Sequence, residues 1–138
     1  MRLDSMLGNT DDVQIDIPRK NLNIRRGDKW SIMEQVSHLC NSEEVWYGRI
    51  DDFLSGSETF LSRSLKADVV SEDIKVLLRN FFDARSKLIA RVEQMDEATA
   101  SLTIFHKRLQ KHFRLVDSLF TTAEHDDHHL AKIRGLLI

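Results

Sequence analysis

A single cysteine, a single proline, one tyrosine and five glycines stand in these 138 residues, and each scarcity removes a class of protein. Cys40 has no partner, so an intrachain disulfide and a Cys-rich zinc module are both excluded, and a reducing cytoplasm is the expected compartment. With so few Pro and Gly to break the chain, long helices are favoured over many short strands. No apolar run approaches the ~20 residues of a membrane span, and the opening MRLDSMLGNT has no secretory h-region. Twenty basic residues against 22 acidic ones give a net charge of −2 with the signs interspersed. No field of one sign exists to steer nucleic acid or an anionic membrane, and the cluster RRGDK (25–29) reads as a solvated loop. A chain of this length makes one domain with one sizeable core.

What is present is helical periodicity. SIME (31–34) is a Ser-x-x-Glu capping box, with Ser31 as N-cap and Glu34 at the third helical position. Behind it Ile32, Val36, Leu39, Trp46, Ile50 and Phe53 recur on one helix face until Gly56. A second helix is predicted from about Ser71, where Glu72 and Asp73 suit the positive end of the dipole, with a stripe through Ile74, Leu77 or Leu78, Phe81, Leu88, Val92 and Met95. A third covers about 113–137 through Leu115 or Val116, Leu119, Ala123, Leu130, Ile133 and Leu137. Three helices of about 25 residues, each ~37 Å long, imply a helical bundle. Residues 1–29 form an irregular N-terminal segment: Leu3, Met6 and Leu7 suggest a stub of helix, and Val13, Ile15 and Ile17 alternate like a strand before Pro18. The connection from Ser55 to Val70 is long enough for a crossover as well as for a hairpin.

Each stripe carries one charged interruption, at Glu43, Arg85 and Asp126, near mid-helix in all three. A buried unpaired charge costs several kcal/mol, so groups that face inward must find one another or a site.

The chemistry-bearing pattern is AEHDDHHLAKI (123–133). His125 and His129 are four apart and project side by side from one helix face, the spacing by which two imidazoles bind one cation. His128 falls on the opposite side, in solvent. HxxxH alone is common on solvated helices, so a third ligand is required. His38 supplies it if the first and third helices run antiparallel, since it then faces roughly residue 130; in parallel packing it would face about residue 121. His106 and His112, in FHKRLQKHFR (105–114), read as part of a solvated connection, and Cys40 as a small core residue rather than a nucleophile. No HExxH, EF-hand loop, phosphate-binding glycine loop or G-x-S-x-G elbow occurs.

With WSIMEQVSHL (30–39) and AEHDDHHLAKI both in hand, the chain resembles the DinB-like superfamily of metal-binding four-helix bundles. The first motif is similar to that family's tryptophan–serine opening with a histidine–leucine pair eight residues on. The second is similar to its closing helix, preceded by RLVD (114–117). The resemblance covers about residues 30–138 and implies an all-α, up-down-down-up four-helix bundle whose first-motif and last-motif helices are antiparallel. It also implies a homodimer, and a divalent metal, nickel or zinc, held by His38, His125 and His129. Some members of the wider family use small thiols such as bacillithiol, glutathione or mycothiol. The 29 residues before Trp30, with Pro18 among them, leave room only for a short or irregular first helix, a departure that bears on the pocket wall and the dimer surface. Three imidazoles around a cation leave open positions, the catalytic arrangement, in which a thiol or water is activated for attack on an electrophile. Glu34 and Asp126 or Asp127 are candidates to orient the imidazoles. The alternatives are a non-catalytic metal-binding stress protein and a plain helical dimer with vacant histidines. No nucleic acid or membrane is an expected partner.

Overall fold

The computed structural model describes residues 25, 27, 29–61 and 73–136. In chain order these form α1 (Ile32–Leu54), α2 (Ile74–Glu93), the one-turn α3 (Glu97–Ala100), β1 (Thr103–His106), β2 (Lys111–Arg114) and α4 (Leu115–Leu136). The expected helix stub at Leu3, Met6 and Leu7, the alternation of Val13, Ile15 and Ile17, and most of the connection up to Glu72 lie outside the described residues.

Helix α1 starts where its capping box places it. Ser31 Oγ accepts from Glu34 N at 3.2 Å and the Glu34 carboxylate accepts from Ser31 N at 3.1 Å, so two donors at the helix start are satisfied reciprocally. It ends at Ser55, and Gly56 follows at φ +72°, a left-handed conformation that favours glycine. Asp73 caps α2 by accepting from Lys75 N at 3.0 Å.

Two apolar clusters fill the interior. One joins Ile32, Met33 and Val36 of α1 to Ile74 and Leu77 of α2 and to Leu130 and Ile133 of α4. The other joins Val45, Trp46, Ile50 and Phe53 of α1 to Leu88 of α2, Ile104 of β1 and Leu115 of α4. The start of α1 therefore meets the start of α2 and the end of α4: α1 and α2 are parallel and α4 runs against both. These directions match an up-down-down-up order with α1 and α2 as its parallel middle pair; the expectation of a short or irregular first helix lies outside the described residues. Parallel neighbours force the chain to travel back along α1, about 35 Å at 1.5 Å per residue, which residues 55–73 have ample length to do.

Between the two clusters lies a layer of charge. Arg85, 0% exposed, donates through Nε to Glu43 Oε2 at 3.1 Å, through one terminal nitrogen to Glu43 Oε1, and through the other to Asp126 Oδ2 at 2.5 Å. The three interruptions of the stripes are thus one network linking three helices. Burial alone would lower the Arg85 pKa, but its hydrogen bonds to Glu43 and Asp126 hold the guanidinium firmly charged.

One departure from an all-helical chain is real but small. Residues 105–114, read from sequence as a solvated connection, belong to an antiparallel hairpin over 103–114 that pairs Thr103 with Arg114 and His106 with Lys111. Its turn lacks glycine and asparagine, and Gln110 takes the left-handed conformation at φ 52°. The hairpin also binds the residues after α1, through Phe105 N to Glu58 O at 3.2 Å. In consequence the last helix begins at Leu115 rather than near residue 113.

Replacing Arg85 by Met leaves two buried carboxylates without a cation. We expect a loss of about 3–5 kcal/mol in urea denaturation, against about 1 kcal/mol for Ser31→Ala, which removes only a cap.

Candidate metal centre

Antiparallel packing of α1 and α4 brings His38 to His125 and His129 across 87 residues of sequence and more. One nitrogen from each ring can be chosen so that all three lie within 4.8 Å of one another. The Nε2 atoms of His38 and His125 are 2.9 Å apart. His38 and His129 are buried and His125 is half-buried. Of the other histidines, His128 and His112 are exposed and His106 sits half-buried in the hairpin, away from the cluster.

The second nitrogens are treated unequally. His129 Nδ1 donates to Gln35 Oε1 at 2.5 Å, which fixes its tautomer and leaves Nε2 for the cluster. His125 Nδ1 is buried with no hydrogen-bond partner; Asp126 Oδ1, also buried and unpartnered, lies 3.8 Å from it. Glu34, a candidate from sequence for this orienting role, is instead engaged with the Ser31 cap and with Arg25. Gln35 was legible only as a polar residue three positions before His38.

Two tryptophans close the cluster from opposite sides. The Trp30 ring stacks on His129 at 6.0 Å and tilts against His38 at 5.0 Å, while Trp46 meets His125 edge-on at 5.1 Å. Their bulk removes water, and burial, reinforced by the neighbouring histidines, pushes the His129 pKa down to about 3. The ring is therefore neutral near pH 7, with a lone pair to offer. Burial likewise raises the Cys40 thiol and the Glu43 carboxyl above their ordinary values. Cys40 accordingly stays a protonated thiol in a half-buried position, not a nucleophilic thiolate.

The donor set, three imidazoles, suits a divalent cation. Two nitrogens each about 2.0–2.1 Å from one ion stand about 2.9–3.4 Å apart, and the His38–His125 separation falls in that range. A groove of about 670 Å³ has His129 in its wall, together with Trp30, Gln35, Lys29, Lys132 and Leu136.

Fold and site together define a helical-bundle protein with a largely buried three-histidine cluster, one member of which lines a groove. A family model of the DinB superfamily matches residues 2–133, and the chain belongs to that superfamily. The match begins well before the motifs at residue 30 that carry the resemblance. YfiT from Bacillus subtilis, described as a "probable metal-dependent hydrolase with an unusual four-helix bundle topology", superposes with a TM-score of 0.85 at 18% identity over 98% of this chain and 81% of its own. A mycothiol-dependent maleylpyruvate isomerase superposes with a TM-score of 0.71 at 9% identity, over 94% of this chain and 57% of that one. At these identities the likeness is one of fold: this chain matches the four-helix bundle topology of YfiT. Among curated proteins none matches. No helix among the described residues is long and apolar enough to cross a membrane.

The depressed His129 pKa has a testable sign. In the unfolded chain the ring takes a proton near pH 6.5, whereas in the folded metal-free protein it resists until about 3. Protonation hence favours unfolding, so this contribution to stability is intact above pH 6.5 and declines as pH falls towards 3. Urea midpoints of metal-free protein should drop between pH 6.5 and 5, and His129→Asn should flatten that drop.

Proposed function

We propose that this protein binds one divalent cation, nickel or zinc, through His38, His125 and His129, and uses it to activate a small thiol or water for attack on an electrophile held in the adjoining groove. The observation that carries the reading is the convergence of three imidazole nitrogens from two antiparallel helices within 4.8 Å, beside a groove open to small molecules. The descriptions of the two structural neighbours, a "probable metal-dependent hydrolase" and a mycothiol-dependent isomerase, support a reaction class of this kind.

Such a cation, when bound, supplies a Lewis acid that brings the pKa of an adjacent thiol or water towards neutrality. The chain's own residues do the rest. Gln35 holds His129 in the tautomer that offers Nε2. Trp30 and Trp46 keep bulk water from the imidazoles, which strengthens every electrostatic interaction there. Three neutral protein ligands leave coordination positions for a reactant, unlike the closed four-ligand shell of a structural zinc site. The groove places a planar or apolar part of the substrate against Trp30 and Leu136, and Lys29 and Lys132 make its charged rim cationic. A cytoplasmic homodimer is the setting proposed for this activity.

Elemental analysis of tag-free protein is expected to find about one divalent ion per chain, and His125→Ala or His38→Ala to remove most of it. Retention of full stoichiometry in both variants would refute the ligand assignment. The metal-loaded protein should then conjugate or hydrolyse an electrophile with water or one of several small thiols. Absence of turnover with all of them, alongside intact metal binding, would favour a non-catalytic metal protein.

A further inference from the structure

The buried Glu43–Arg85–Asp126 network lies against the histidine cluster, and helix tethering accounts for only part of its geometry. Arg85 uses three donors on Glu43 and on Asp126 Oδ2. Asp126 Oδ1 receives nothing, although a buried carboxylate oxygen without a donor is costly. A buried group likewise without a partner, His125 Nδ1, lies 3.8 Å away. That separation is about 1 Å beyond a charge-assisted hydrogen bond. Meanwhile the opposite nitrogen of the same ring, Nε2, is the one that faces His38.

We propose that Asp126 is the positioning residue of His125. Its Oδ1 accepts a hydrogen bond from His125 Nδ1–H, so that Nε2 is the atom His125 presents to the cation. Arg85 fixes the carboxylate by its other oxygen, and Glu43 fixes Arg85. The inference rests on the three-histidine metal site and adds to it a buried relay reaching α2, a helix that supplies no ligand. It also accounts for charge: two carboxylates and one guanidinium leave the network one unit negative beside a dication, a complementary arrangement. Gln35 performs the corresponding service for His129 but is neutral. The two supports are therefore not equivalent: His125 faces a carboxylate and His129 a neutral amide.

The test measures zinc affinity by competition with a chromophoric chelator, alongside thermal stability and the imidazole nitrogen shifts of ¹⁵N-labelled, zinc-loaded protein. Asp126→Asn should weaken zinc binding about 10- to 100-fold. In the wild type, His125 should be protonated at Nδ1 and coordinated through Nε2, with the Nδ1 proton exchanging slowly with solvent. A purely structural role would lower the melting temperature of Asp126→Asn and leave zinc affinity within about threefold, which would overturn the proposal. Should that variant fail to fold, the wild-type spectrum decides: coordination through Nδ1, or an Nδ1 proton in fast exchange, refutes the proposal. If the wild type takes up no zinc or nickel, the metal-site reading falls and this one with it. If uptake needs all three histidines but is indifferent to Asp126, this inference alone falls.

Discussion

Arg85 is the point on which the bundle turns. A guanidinium removed from water is tolerable only when its donors meet acceptors, and here Glu43 from α1 and Asp126 from α4 close on it from two sides. Because hydrogen bonds to an arginine fork are directional, the network sets the depth at which the three helices meet far more narrowly than hydrophobic contact could. Apolar clusters above and below it would tolerate a slide of a helix by part of a turn; the ion network would not. The histidine cluster inherits that register, since His38 lies five residues from Glu43 and His125 adjoins Asp126.

The site is accordingly a product of packing direction. With α4 antiparallel to α1, the end of one helix carrying Gln35 and His38 reaches the part of the other carrying His125 and His129. Trp30, just ahead of α1, covers the rings, and Trp46, two turns beyond His38, supports them from inside. Burial beneath Trp30, reinforced by the neighbouring histidines, explains why His129 resists protonation. Membership of the DinB superfamily, and a shared fold with YfiT at only 18% identity, place this arrangement on a scaffold whose side chains differ at most positions.

Much of this was legible along the chain. Ser31 and Glu34 announced the start of α1, because a capping box is a local interaction. The stripe through Ile74, Leu77, Phe81 and Leu88 announced the buried face of α2, because a 3.6-residue period survives without knowledge of neighbours. Glu43, Arg85 and Asp126 stood out as charges on apolar faces at matching depth, and they do pair. The hairpin at Thr103–Arg114 was not legible: its strands are four residues long, its turn lacks the usual glycine or asparagine, and part of its support is a backbone hydrogen bond to Glu58, far away in sequence.

By itself, then, the order of residues determined the helices, their caps and buried faces, and the pairing of His125 with His129 on one face, all consequences of contacts within a few positions. Tertiary structure decided the rest. Only when α1 and α4 lie antiparallel does His38 come within reach. Only then does Gln35, rather than Glu34, orient an imidazole, and Asp126 turn one oxygen to Arg85 and the other towards His125. The reason is geometric: helical period sets the face from which a side chain projects, whereas the rotation and offset of two packed helices set which atoms across that face come within 3 Å.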